Sequence, residues 1–240
     1  MKRLIFPLLL LVSVNSFSQG LLKKAGDLLN KSKSGSNLSN DDIVAGLKEA
    51  LSVGAKNGAA KLSAVDGFFG NTAIKVLMPP EAKKVESTLR SLGMGDLVDK
   101  AILSMNRAAE DASKSAAPIF VDAIKTMSIN DALGILKGSD TAATGYLRGK
   151  TTAPLTTAFH PVIDTALKKT DATKYWKSVM DAYNKLPTTI KKINPDLTGY
   201  VTDRALSGMF YQVAQEEQKI RKDPAARVTD ILKKVFGNSK

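Results

Sequence analysis

The groups with the capacity for chemistry are polar side chains set within or beside apolar helical stripes. Asn106, Arg107 and Glu110 fall in one stretch, with Arg107 and Glu110 spaced i,i+3. Asp122 interrupts the apolar run IFVDAIK. Asp140 and Thr141 gather at a helix start, and Arg148 follows. Glu216, Glu217, Arg221 and Arg227 surround a helix junction near the C-terminus, with Glu217 and Arg221 at i,i+4. Three kinds of chemistry fit these residues. Carboxylate–guanidinium pairs and hydroxyl caps can fix helix junctions, which perturbs charges without any function. The same arginines can face an anionic ligand, because a planar guanidinium offers two parallel N–H donors to a carboxylate or phosphate. A carboxylate pair can also run acid–base chemistry on a substrate.

Other chemistries are closed. The chain has no Cys and one His. Thiol nucleophiles, zinc–thiolate sites, iron–sulfur clusters and sites built from several His ligands are therefore excluded. His160 stands between Phe159 and Pro161. It reads as a helix-boundary residue, with a functional base as the alternative. There is no G-x-S-x-G elbow, no P-loop, no G-x-G-x-x-G and no calcium-type D-x-D loop. No catalytic residue, metal or cofactor is assigned.

The elements that must position these groups are helices. The fold class expected is all-α, a single compact domain over 38–240 with about nine helices. A minor extended segment near 73–78 is the most sheet-like feature. Ser39 fits an N-cap and Asp42 the reciprocal N3 acid of a capping box, with Leu38 and Ile43 as a staple. Gly54 and Gly58 lie in the helix that follows and let a neighbour approach. DGFFGN (66–71) breaks the period with turn signals, and Phe68 and Phe69 plug the core from that loop. Pro80 opens the next helix and Gly93 stops it. Leu97, Ile102, Met105, Ala109 and Ala112 trace the stripe after that. Pro118 opens a further helix, and Ser128 and Asp131 repeat the capping-box spacing. The 138–140 segment caps a helix from Thr141, which Pro154 and Pro161 divide into short or kinked pieces. Asp171 caps a helix with Tyr175, Trp176 and Val179 inward. Residues 201–221 form a long clean helix, and Asp223-Pro224 open the last one.

The N-terminus sets the compartment. Lys2 and Arg3 precede an apolar run from Leu4 to Val14, and Ser16 and Ser18 take the small-residue positions before a cleavage site. This pattern predicts a secretory signal peptide over 1–18, because about 20 apolar residues are needed to span a membrane. The expected product is periplasmic or secreted. No Cys follows the signal, so lipoprotein anchoring is not expected. Residues 19–37 read as an amphipathic stretch (19–31) and a flexible linker. Lys+Arg total 35 against Asp+Glu 23, a net charge of +12 that cleavage lowers to +10. Such a surplus favours anionic partners, including a membrane surface. Export, and the lack of aromatics interleaved with basic runs, argue against nucleic acid.

DIVAGLKEAL (42–51), DGFFGN (66–71), MNRAAE (105–110) and the long run from 117 to 148 together resemble an exported bacterial family. So do YVTDRALSGMF (200–210) and the run from 216 to 237. The family is the one catalogued as domain of unknown function 4197. The resemblance covers about 38–237. It implies a mostly helical envelope protein, often a lipoprotein, with no established activity and no site residues to carry over. The function expected is a binding or interaction module for an anionic envelope component or a partner protein. One alternative is a carboxylate-dependent hydrolase acting on glycan or lipid. Another is a peripheral membrane-surface protein using 19–31.

Overall fold

Local signals start and stop most of the helices. The computed structural model describes residues 39–170, 173, 176–177 and 196–222. The side chain of Asp42 is not among the described ones. Residues Asn40–Lys240 form one compact unit. Among the described residues there are seven α-helices, one 3-10 turn and no strand, against about nine helices expected. The helices expected over 19–31, from Asp171 and from Pro224 lie outside the described residues, apart from Thr173, Trp176 and Lys177, which are helical, with Trp176 buried.

Helix α1 (Asn40–Ser63) turns Leu47, Leu51, Ala55 and Leu62 into the core. Its glycines face the helix over Leu197–Lys222: a Cβ on Gly58 would lie 3.5 Å from Gln212 Cγ, ordinary contact distance. The approach is therefore close without requiring glycine. A loop follows in which Asp66 has φ 66° and Phe68 is fully buried, while Phe69 is half-buried. Residues 75–79 have no regular structure. A 3-10 turn (Pro80–Ala82) leads into α2 (Lys83–Ser91). Gly93 ends it with φ 79°; its N–H donates to Arg90 O, and Met94 N–H donates to Leu89 O. That paired pattern is a Schellman stop, as the glycine predicts.

Helix α3 (Gly95–Ser113) corrects one expectation. Its buried stripe begins at Val98, and Leu97 is half exposed, because the helix starts at Gly95 and runs 98, 102, 105, 109, 112 inward. In α4 (Ala116–Lys125), Pro118 sits inside the first turn, where its missing N–H had no intrahelical acceptor to lose. The capping box of α5 (Ile129–Lys137) forms in full: Asp131 N–H donates to Ser128 Oγ, and Ser128 N–H to Asp131 Oδ2. Those bonds from Ser128 hold the Asp131 carboxyl below its ordinary value.

Helix α6 (Ala142–Lys169) is continuous through Pro154 and Pro161 and is not divided. The physical reason is position. The buried residues recur at 147, 151, 155, 159, 163 and 167, while both prolines are exposed and fall off that stripe. The carbonyls they orphan lie on Lys150 and Thr157, both exposed, so water can satisfy them. Helix α7 (Leu197–Lys222) packs against α6, and α1, α3 and α4 close the core around that pair. Phe120 of α4 meets Phe210 of α7 edge-on at 6.0 Å.

Candidate functional site

The candidate polar residues gather at two junctions and do not form one pocket. The first is on α3. Glu110 is 3% exposed, and its Oε1 accepts the N–H groups of Phe68 (3.1 Å) and Phe69 (3.2 Å). Its Oε2 accepts from Arg107 at 2.6 Å, and the other arm of Arg107 reaches Asp66 at 2.8 Å. The two carboxylates raise the Arg107 pKa. One turn earlier, Asn106 is fully buried and takes both polar groups of Val76: it accepts from Val76 N–H (2.9 Å) and donates to Val76 O (2.8 Å). The expected extended segment is thus paired to a side-chain amide instead of a strand. Phe69 completes the cluster, with Lys75 Nζ 3.7 Å from its ring centre.

The second junction joins α5, α6 and α7. Glu217 is 5% exposed. Its carboxylate accepts the N–H groups of Ala143 (2.9 Å) and Thr144 (2.8 Å) and the Thr144 hydroxyl (2.8 Å). These are first-turn donors of α6, which lack intrahelical acceptors. A carboxylate there also meets the positive end of the helix dipole. Arg221 donates to Glu217 at 2.9 and 3.0 Å and to the carbonyl of Ile135 at 2.7 Å, tying in the end of α5. The cap of α6 is therefore supplied by a helix more than seventy residues away. Thr141 takes the N-cap position but makes no side-chain cap bond. Asp140, expected in the capping segment, is exposed and pairs with Lys222 at 2.8 Å, which lowers its pKa.

The remaining candidates stand apart from both junctions or at their edges. Asp122 is exposed beside Lys125. Arg148 covers the Phe210 ring at 4.5 Å. Glu216 is half-buried and accepts from Gln212. Arg227 lies outside the described residues.

A cleft between α3 and α6 touches the first junction. It is a groove open to solvent with room for about 890 Å³, within the roughly 300–1,000 Å³ of small-molecule sites. Val65, Leu103, Ala108, Val162 and Ala166 give it apolar walls, and Arg107, Lys114 and Lys169 are its cations. Lys114 pairs with Asp111, and Arg107 with Glu110 and Asp66; Lys169 has no ion pair among the described residues. Leu103 and Val65 stand outside the core-facing stripes, and an apolar residue off the stripe was the one available sequence signal for this wall. Among the described residues no group of His, Asp and Glu could hold a metal ion, and no helix is long and apolar enough to cross a membrane.

A family model described as Protein of unknown function (DUF4197) matches residues 37–237. Neither the curated proteins nor the solved structures give a match.

Proposed function

We propose that this chain, which belongs to the family described as Protein of unknown function (DUF4197), acts by binding and not by turnover. The ligand is an anionic component of the cell envelope, to which the N-terminal leader pattern directs the protein. The observation that carries this reading is the α3–α6 cleft, with apolar walls and a lysine, Lys169, whose charge no described carboxylate offsets. The basic surplus of the whole chain draws anions toward it.

The hydrolase alternative loses its support at the residues it needs. Glu110 and Glu217 each accept backbone N–H groups and an arginine, so proton exchange at either would release a helix or loop anchor. Asp122 lies at an exposed helix face beside a lysine. The membrane-surface alternative rests on 19–31, outside the described residues.

Native mass spectrometry on the protein purified gently from the cells that make it tests the reading. The expected spectrum shows a chain shortened by residues 1–18 and carrying a reproducible added mass. Leu103→Asp, which places a negative charge on the cleft wall, is expected to remove that mass. Arg148→Ala, whose side chain lies outside the cleft over Phe210, is expected to keep it. A bare chain in every preparation would contradict the reading and turn attention to protein partners.

A further inference from the structure

We infer that the anion taken by the α3–α6 cleft carries an aliphatic chain, so that the site receives a single-chain amphiphile with one negative head. The inference rests on the binding reading above and adds the class of ligand.

The walls favour a chain over a sugar. Val65 is 78% exposed and Leu103 36%, large apolar side chains that the fold leaves in water, and both line the cleft. Apolar surface of this kind marks a binding site, and covering it releases hydration water. A glycan needs unpaired hydroxyls and amides instead. Of the four hydroxyls lining the cleft, those of Ser63, Thr165 and Thr170 donate to carbonyls of Ala60, Pro161 and Leu167, which leaves Ser104 alone without a hydrogen bond among the described residues, too little for a sugar ring.

The charges favour one head group. Arg107 and Lys114 are held by carboxylates on or beside α3. Lys169, at the end of α6, has no ion pair among the described residues, and its neighbour Lys168 takes Asp164 at 2.6 Å. A cation with no ion pair among the described residues, beside an apolar wall, matches one anionic head on a chain. The ligand is taken from solution as a monomer, because Leu103 of α3 and Val162 and Ala166 of α6 offer walls for one chain between two helices.

The test titrates the full protein with dodecyl phosphate below its micelle concentration, with dodecanol and inorganic phosphate in parallel. Calorimetry and amide chemical shifts report binding. Saturable one-to-one binding of dodecyl phosphate is expected, with shifts concentrated at 103–114 and 161–170. Lys169→Ala is expected to weaken dodecyl phosphate roughly fivefold, the worth of a partly exposed ion pair, and to leave dodecanol unchanged. Leu103→Asp is expected to abolish binding of dodecyl phosphate. Both positions are solvent-exposed, and an unchanged helical circular dichroism signal checks the fold. Equal binding of inorganic phosphate and dodecyl phosphate at these residues would overturn the chain and leave the anion-binding reading standing. Binding confined to phosphatidylglycerol vesicles would overturn the monomer cleft. Shifts outside the cleft, or no binding of any anionic probe, would remove both claims.

Discussion

Replacing Glu217 with alanine is expected to cost the fold about 3–5 kcal/mol, the loss typical when one partner of a buried charge pair is removed. The carboxylate holds two backbone N–H groups, a hydroxyl and a guanidinium, and it is 5% exposed. Its removal leaves the Ala143 and Thr144 N–H groups without their acceptor and takes one carboxylate from Arg221, whose side chain is 11% exposed and which keeps its bond to Ile135 O. Buried groups left without partners carry their full desolvation cost. For a domain of this size each kcal/mol moves Tm by about 2–4 °C. Arg221→Ala is expected to cost less, about 1–2 kcal/mol, because the carboxylate keeps its bonds to α6. Chemical denaturation followed by circular dichroism gives both values. A Glu217→Ala protein within about 1 kcal/mol of wild type would show that the junction is not held this way.

Phe68→Ala is expected to cost a similar amount, about 3–5 kcal/mol, through the cavity a fully buried ring leaves behind. The ring has a specific counterpart. Gly208 of α7 lies beneath it, and a Cβ there would fall 2.5 Å from Phe68 Cε1 and 3.3 Å from Ile74 Cβ. Gly208→Ala alone is therefore expected to destabilise by about 1–3 kcal/mol, as overpacking does. In the Phe68→Ala background the added methyl finds room, so the second substitution is expected to be neutral or stabilising. Residues in contact give such non-additive cycles, and distant ones add. Additive losses from the two substitutions would mean that Phe68 does not rest on Gly208.

These two sites show where the sequence is legible and where it is not. The all-helical class follows from periodicity and local caps. The Ser128–Asp131 box and the Gly93 stop are encoded within a few residues, and both form where their spacing predicts. The Arg107–Glu110 and Glu217–Arg221 pairs form for the same reason. What spacing cannot carry is the far partner. Nothing near Ala143 announces that its N–H will meet Glu217, and nothing near Val76 announces Asn106. The expectation that the prolines divide the helix fails because it weighs the lost hydrogen bond without the exposure of the carbonyl that loses it. The phase error at Leu97 arises because two adjacent apolar residues, Leu97 and Val98, compete for one stripe and the helix start decides between them. The cleft draws on α3 and α6, which are distant in sequence, so its walls become visible only in three dimensions.

Native-state hydrogen exchange on the full chain tests most directly whether the buried glutamates are anchors, which leaves the cleft as the place for binding. The amides of Ala143 and Thr144 lie in a first helical turn, where exchange is ordinarily fast for want of an acceptor. With Glu217 in place they are expected to be strongly protected, and so are the loop amides of Phe68 and Phe69 on Glu110. Asp96, in the first turn of α3 where no side chain caps the helix, supplies the fast reference. Exchange at Ala143, Thr144, Phe68 and Phe69 as fast as at Asp96 would contradict the account and return both carboxylates to the pool of groups available for chemistry.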